Sequence, residues 1–401
     1  MFCFSLNPLA FAGFYIVFRP TVQPFAYLQY PLWGNVPLTS LFALSLILYA
    51  IMDCIRNGFR FIEGNTKYLY ILCLISCISF INTPNITLSI GHLLKLFTAI
   101  AMYLLIYNNI QTVRDIKKLF TCYFLSAIVP LLFGFYQYIT KTAHAWENGP
   151  GGTRIDSVLG ECNAYGEYLA TLICVLIAAF FLRKLQYKKW VLAIFSMAIL
   201  LSFLLSQNRG SWISLVVGIV IATIWYRRHV HVTFIASVLS LVILASSPIV
   251  VERFMELHKK SEFGSHNTLQ GRLHYHEKLL DLVKENPIVG YGLGTAGYST
   301  KITYPPHNDY LRIALESGIP GAIFYIIFLV KELFEHIQRV RTTMFGLIHY
   351  SSLILIIYFI ILSFFQNIIY NVTVFPMILG MFAMSAKLHF LEKYQERALS
   401  E

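Results

Sequence analysis

The sequence predicts an all-α protein that crosses a membrane many times, on three observations. Of its 401 residues, 57% are hydrophobic and 13% charged, where a soluble domain carries about 25% charge. Mean hydropathy is +0.63. Apolar runs of the roughly 20 residues that a spanning helix needs recur along the chain, and the alternating segments that mark a β-barrel are absent.

Twelve spans are expected, near 3–18, 36–53, 68–84, 89–108, 119–139, 164–182, 190–206, 212–226, 232–249, 314–330, 347–365 and 370–387. The first runs into Arg19-Pro20, and only Gln366-Asn367 separates the last two. Loops on one side hold Arg56, Arg60 and Lys67, then Arg114, Lys117 and Lys118, then Arg183, Lys184, Lys188 and Lys189, with further Lys and Arg after spans eight, ten and twelve. The other side has Arg19, Lys141, Arg154 and Arg209. The positive-inside rule makes the first side, and both termini, cytoplasmic. The opposite face then carries a loop over 140–163 and a longer one over 250–313. The expected organisation is nine spans over 1–249, a periplasmic loop subdomain with short helices over 250–313, three spans over 314–387 and a cytoplasmic tail over 388–401.

The net charge of +11 is accounted for by these basic loops, so nucleic acid is not expected as a partner, whereas membrane lipid is. Seven cysteines lie mostly within or beside spans. Cys73 and Cys77 are four apart in an apolar helix, which is not the spacing of a redox or zinc motif. His274 and His276 point apart on a helix, so no metal site and no cofactor are expected.

Polar groups held at a membrane surface are costly to organise and mark candidate sites. The foremost is Pro305-Pro306-His307-Asn308-Asp309-Tyr310, followed by Gly318-Ile319-Pro320-Gly321. A neutral imidazole at His307 accepts a proton from a hydroxyl near neutral pH. Asp309, Glu316 or Asn308 would orient it. Arg154, before the sixth span, and Arg209, in Asn208-Arg209-Gly210-Ser211-Trp212, are cations on the side the topology disfavours. An arginine fork suits phosphate oxygens. Arg272 opens a predicted amphipathic helix on the membrane, with His276 and Leu279 on its own face and Leu273, Leu280 and Val283 on another. Gly292-x-Gly294-x-x-Gly297 matches a dinucleotide fingerprint in letters but lacks its βαβ context. It reads instead as a loop that lets backbone approach a substrate or a neighbouring helix.

Together these segments resemble the O-antigen ligase superfamily over roughly residues 150–330. His307-Asn308, nine residues, then Gly318-x-x-Gly321 is similar to the family signature. Arg272 lies at the family's loop arginine, Arg209 resembles its Ser/Asn-Arg-Gly segment, and Arg154 resembles a periplasmic arginine before a span. The resemblance implies a GT-C-like glycosyltransferase of about twelve spans that works at the periplasmic face of the bacterial inner membrane without metal or cofactor. It implies an undecaprenyl-pyrophosphate-linked glycan as donor and, for a ligase, a lipid A–core sugar as acceptor. His307, Arg272 and Arg209 would be catalytic. Arg154, Asn308, Asp309, Tyr310, Gly318 and Gly321 would bind substrate.

A ligase is the preferred expectation. A surface-polysaccharide polymerase would carry two periplasmic loops of similar size, and the 140–163 loop is short. Protein O-oligosaccharyltransferases tend to be longer, with a C-terminal periplasmic domain where this chain has a short basic tail. A transporter or flippase predicts ionisable residues within spans and inverted repeats. Lys95 is the main charge expected mid-span, and no repeat is evident.

Overall fold

The computed structural model describes residues 7–24, 29–30, 36–57, 64–143, 154–181, 188–225, 269–297, 306–340 and 346–398. Among the described residues, twelve α-helices carry the fold: α1 (Pro8–Val22), α2 (Leu38–Asn57), α3 (Thr66–Ile78), α4 (Ile86–Asn109), α5 (Val113–Thr140), α6 (Cys162–Phe181), α7 (Lys189–Leu205), α8 (Arg209–Trp225), α9 (Leu269–Glu285), α10 (Asp309–Val340), α11 (Gly346–Leu362) and α12 (Val374–Ala398). The strands among the described residues are β1 (Gln29–Tyr30) and β2 (Val36–Pro37), an antiparallel pair of two residues each.

Side chains at the helix starts satisfy backbone N–H groups that have no partner within the helix. Asn7 Oδ1 accepts from Leu9 N at 2.9 Å, and Asn85 Oδ1 accepts from Leu88 N at 3.2 Å. Thr112 and Asp115 form a reciprocal capping box at α5.

Among the described residues, six helices are long and apolar enough to cross a membrane: Thr39–Asn57, Ile86–Asn109, Val113–Thr140, Cys162–Ala179, Asp309–Val340 and Val374–Lys393. Five more apolar helices are shorter, at Pro8–Val22, Thr66–Asn82, Lys189–Leu205, Arg209–Trp225 and Ile348–Leu362. Each of the eleven falls on an expected span. A helix of 17 residues rises roughly 25 Å, against a hydrocarbon core of roughly 30 Å, so the shorter ones do not reach across by length alone. The expected ninth span, 232–249, lies outside the described residues. Ile81, Leu132, Ile139 and Met197 are each at least 66% exposed, a distribution suited to lipid and costly in water. The chain is a multi-pass membrane protein.

Helix pairs remote in sequence form the core: α8 packs on α11, α12 on α4, and α1 on α5. At the α8–α11 crossing, a Cβ on Gly218 would come within 3.0 Å of Ile354 O, so a small residue lets the two backbones approach. Tyr123 donates to Met377 O at 2.7 Å across α5 and α12. At the far end of α10, polar pairs lie within that helix and between α11 and α12. Glu332 lies 3.3 Å from His336, Arg339 pairs with Glu335, and His349 meets Ser385 at 2.8 Å and Glu392 at 3.6 Å.

Three expectations shift. α1 continues through Arg19-Pro20, because Arg19 is buried and its Nη1 donates to Gln23 Oε1 at 2.8 Å. The tenth span begins earlier, at Asp309, and is broken at Gly318. The last hairpin is wider than Gln366-Asn367, since Ile368–Tyr370 forms a buried 3₁₀ turn before α12 starts at Val374.

Candidate functional site

The site begins where α10 begins. Asn308 Oδ1 accepts from Leu311 N at 3.0 Å, which makes Asn308 the helix cap. His307, one residue earlier, has φ 48, a left-handed conformation uncommon outside glycine. On its other side, Pro306 O accepts from His276 Nε2 of α9 at 3.0 Å, so that ring nitrogen carries the proton. α9 lays Tyr275, Leu279, Leu282 and Val283 against Leu311, Ala314 and Leu315. Its apolar face therefore differs from the expected one: Leu279 and Val283 share it, and Leu280 is 51% exposed. The partner of that face is the start of α10.

Asp309 is fully buried. Its N donates to Ser363 O at 2.7 Å. Its Oδ2 accepts from Ile369 N at 3.1 Å, Ser363 Oγ at 3.2 Å and Tyr325 OH at 3.5 Å. Tyr310 donates to Ile360 O at 2.8 Å and packs on Phe364. These bonds tie the helix start to the α11–α12 connection. Asp309→Ala should leave buried donors unpaired and cost about 2–4 kcal/mol of stability. A thermal-unfolding scan in detergent checks this, and a wild-type midpoint would refute it.

Gly318, with φ 73 and ψ 176, turns the chain inside α10. The 286–297 loop docks on that turn. Tyr291 N donates to Leu315 O at 2.9 Å, Gly292 N to Glu316 O at 3.1 Å, and Ile319 N to Pro287 O at 2.7 Å. The loop's other side meets the neighbouring helices, where Asn82 Nδ2 donates to Gly290 O at 2.9 Å and Ser89 Oγ to Leu293 O at 2.6 Å. Of the two expected uses of this glycine loop, close approach to neighbouring helices is the one seen. Gly321 lies one turn beyond the break, facing Ser317, Ile313 and Leu72.

The segment between His307 and Gly318 carries an ion pair. Arg312 Nε donates to Glu316 Oε1 at 3.0 Å, with both side chains buried. Glu316 Oε1 also accepts from Ala296 N at 3.2 Å, so this carboxylate serves Arg312 and the glycine loop, and Asp309 serves the α11–α12 connection. The Arg312 guanidinium lies over the Tyr370 ring, 4.5 Å from its centroid. Burial, and after it the Glu316 carboxylate, push the Tyr370 phenol up from its ordinary range, so the ring under the cation stays neutral.

His307 and Arg312 border a cavity of about 320 Å³. α4 adds His92 and Lys95, one helical turn apart. The start of α6 adds Glu161, Ala164 and Glu167, and Gln23 closes one end. Gln366, Asn367 and 370–373 form the side contributed by the α11–α12 connection. Lys95 lies roughly 13 Å below the start of α4 at 1.5 Å per residue. Among the described residues no salt bridge neutralises it.

Arg154 and Arg209 meet at a neighbouring place. Arg154 Nε donates to Ser206 O at 3.4 Å, and its Nη2 to Asn163 Oδ1 at 3.5 Å. Arg209 is the first residue of α8, capped by Asn208, whose Oδ1 accepts from Ser211 N at 3.1 Å and whose Nδ2 donates to Asn163 O at 2.9 Å. Arg154, and Asn208 beside Arg209, therefore both bond Asn163, in the helix turn whose next residue, Ala164, borders the cavity. The two arginines flank the cavity and do not line it. Arg272 is in the first turn of α9, four residues before His276, and its side chain lies outside the described residues. Asn308, Asp309, Tyr310, Gly318 and Gly321 have framework contacts and do not line the cavity either.

Sequence reasoning missed Arg312, Glu161 and Glu167 as site residues. Glu167 had an available signal, as a carboxylate near the start of an expected span. Arg312 sat unread in the interval between His307 and Gly318.

The O-antigen ligase family model matches residues 194–326, a stretch that includes Arg209, Arg272, His307, Gly318 and Gly321. An uncharacterised protein of Haemophilus influenzae is 26% identical over 204 residues, covering 43% of this chain and 50% of that protein. A protein of Salmonella muenchen named O-antigen polymerase is 26% identical over 187 residues, covering 43% of this chain and 47% of that one. The chain spans about half the length of the curated relatives it matches. These matches bear out the resemblance to the O-antigen ligase and polymerase superfamily.

Proposed function

We propose that this chain, which resembles the O-antigen ligase family, is a glycosyltransferase acting as an O-antigen ligase. It moves a glycan from undecaprenyl pyrophosphate to a lipid A–core sugar hydroxyl at the periplasmic face of the bacterial inner membrane. The observation that carries the reading is His307, set in a left-handed turn on a cavity that also takes in Arg312 and Lys95. A proton acceptor beside two cations suits attack by a hydroxyl with departure of an anion.

In this mechanism His307 takes the proton of the acceptor hydroxyl. The oxygen attacks the anomeric carbon, and the bond from that carbon to the diphosphate breaks with its electron pair leaving on the diphosphate, so the configuration inverts. Lys95 and Arg312 stabilise the growing charge from within the cavity. Arg209, Arg272 and Arg154 do so from its rim and loop. No metal or cofactor takes part. Asn308, Asp309, Tyr310, Gly318 and Gly321 serve the reaction by holding His307 and Arg312 in place. A polymerase on the same carrier is the second reading, favoured by the likeness to the Salmonella muenchen protein.

The test is a lipopolysaccharide gel of a deletion strain rescued with wild type or His307→Ala. We expect His307→Ala to give rough core with no attached polymer while carrier-linked polymer accumulates. Core capped by a single repeat selects the polymerase. A wild-type ladder from the mutant, inserted at normal levels, removes His307 from the mechanism.

A further inference from the structure

The cavity has two chemically distinct walls. α4 and α10 bring His92, Lys95, His307 and Arg312, whereas α6 brings Glu161 and Glu167. Glu167 is 4% exposed. Its Oε2 accepts from Asn371 Nδ2 at 2.7 Å. Asn371 is itself braced, its Oδ1 accepting from Thr373 N and Val374 N, both at 3.1 Å. The carboxylate is thus held in one orientation from the α11–α12 connection. Among the described residues its hydrogen-bond partner is this neutral amide and not a cation, and the carboxylate borders the open volume.

With Oε2 taken by the Asn371 amide, Oε1 is the oxygen left to meet a ligand in the cavity, and a carboxyl oxygen accepts hydrogen bonds. Glu161 stands on the same wall, and a pair of acidic side chains disfavours an anionic diphosphate. The hydroxyls of a sugar supply several donors.

We propose that Glu167 is a glycan-binding residue, its Oε1 accepting a hydrogen bond from a sugar hydroxyl. The inference rests on the glycan-transfer reading of the same cavity. The hydroxyl belongs either to the donor glycan or to the acceptor, and the two are separable by measurement.

The experiment uses the full chain in lipid nanodiscs, as wild type, Glu167→Gln and Glu167→Asp. Equilibrium binding of an undecaprenyl-pyrophosphate glycan and of rough-core lipopolysaccharide is titrated separately, and transfer is followed alongside. Glu167→Gln keeps the volume and puts a neutral amide in place of a buried acid, so it should insert and fold. Loss of one buried hydrogen bond is strong enough that Glu167→Gln should bind one of the two glycans about tenfold more weakly. Glu167→Asp should do the same, because a chain one methylene shorter withdraws the oxygen. The pH profile of kcat should not move in either variant. Weaker donor binding assigns Glu167 to the donor sugar, and weaker acceptor binding to the acceptor sugar. Wild-type binding of both glycans by Glu167→Gln overturns the inference. So does a Glu167→Asp that binds as wild type, since charge balance alone would then explain the residue. A wild-type chain that binds glycan but transfers none overturns the transfer reading while the comparison at Glu167 stands. A wild-type chain that binds neither overturns both.

Discussion

Gly318→Ala is expected to prevent the folded protein from accumulating. The residue has φ 73 and ψ 176, a region essentially restricted to glycine, where another residue costs about 1–3 kcal/mol. Its new Cβ would also lie 2.1 Å from Ile288 O and 2.5 Å from the carbonyl carbon. That carbonyl has little room to retreat, because bonds from Tyr291, Gly292 and Ile319 hold the loop to the turn on both sides. Strain and overlap together should exceed about 4 kcal/mol, among the larger effects of a single substitution. Fluorescence-detected size exclusion of the detergent-solubilised protein reads the outcome, and a sharp peak at wild-type yield would contradict it. Gly91→Ala is the matched control. A Cβ there meets nothing within 4 Å, and in a helix the change is neutral or stabilising by up to about 1 kcal/mol.

The second large effect is expected at Arg312. Arg312→Met strands Glu316 as a buried carboxylate that has lost its cation and keeps only neutral donors such as the Ala296 N–H. Breaking such a pair from one side typically costs about 3–5 kcal/mol. The double variant Arg312→Met/Glu316→Gln removes both charges and should recover most of that loss. Glycan transfer should be lost in both, since neither restores a cation to the cavity. A thermal-unfolding cycle over the four proteins measures the coupling, and transfer assays on the same samples separate stability from chemistry. Additive destabilisation would show that the pair is not coupled. Transfer regained in the double variant would remove Arg312 from the reaction.

Much of the fold was legible because apolar periodicity reports membrane helices directly, and eleven apolar helices lie where spans were expected. Boundaries slipped where tertiary contacts overrode hydropathy. Tyr370 is expected to open the last span but belongs to a buried 3₁₀ turn, Ile368–Tyr370, next to Asp309. The site was legible at His307 and Gly318 because spacing within one segment survives in sequence. The Glu316 carboxylate looked like an orienting partner for His307, and nothing in the linear pattern showed that it turns to Arg312 instead. His92, Lys95, Glu161 and Glu167 come from other helices, and their meeting with His307 is a product of packing. The same holds for Arg154 and Asn208, far apart in sequence and joined at Asn163.

The cavity's walls have very different ages during synthesis. Gln23, His92 and Lys95 leave the ribosome early, whereas Gln366, Asn367 and Tyr370 leave more than 270 residues after Lys95. The bond from Tyr15 OH to Val372 O, spanning 357 residues at 3.3 Å, joins those two eras. Until the later segment threads into the bilayer, Asp309 lacks Ile369 and Ser363, and Arg312 lacks the ring beneath it. A nascent chain therefore holds its cations without an enclosure until the later segment has joined the earlier one.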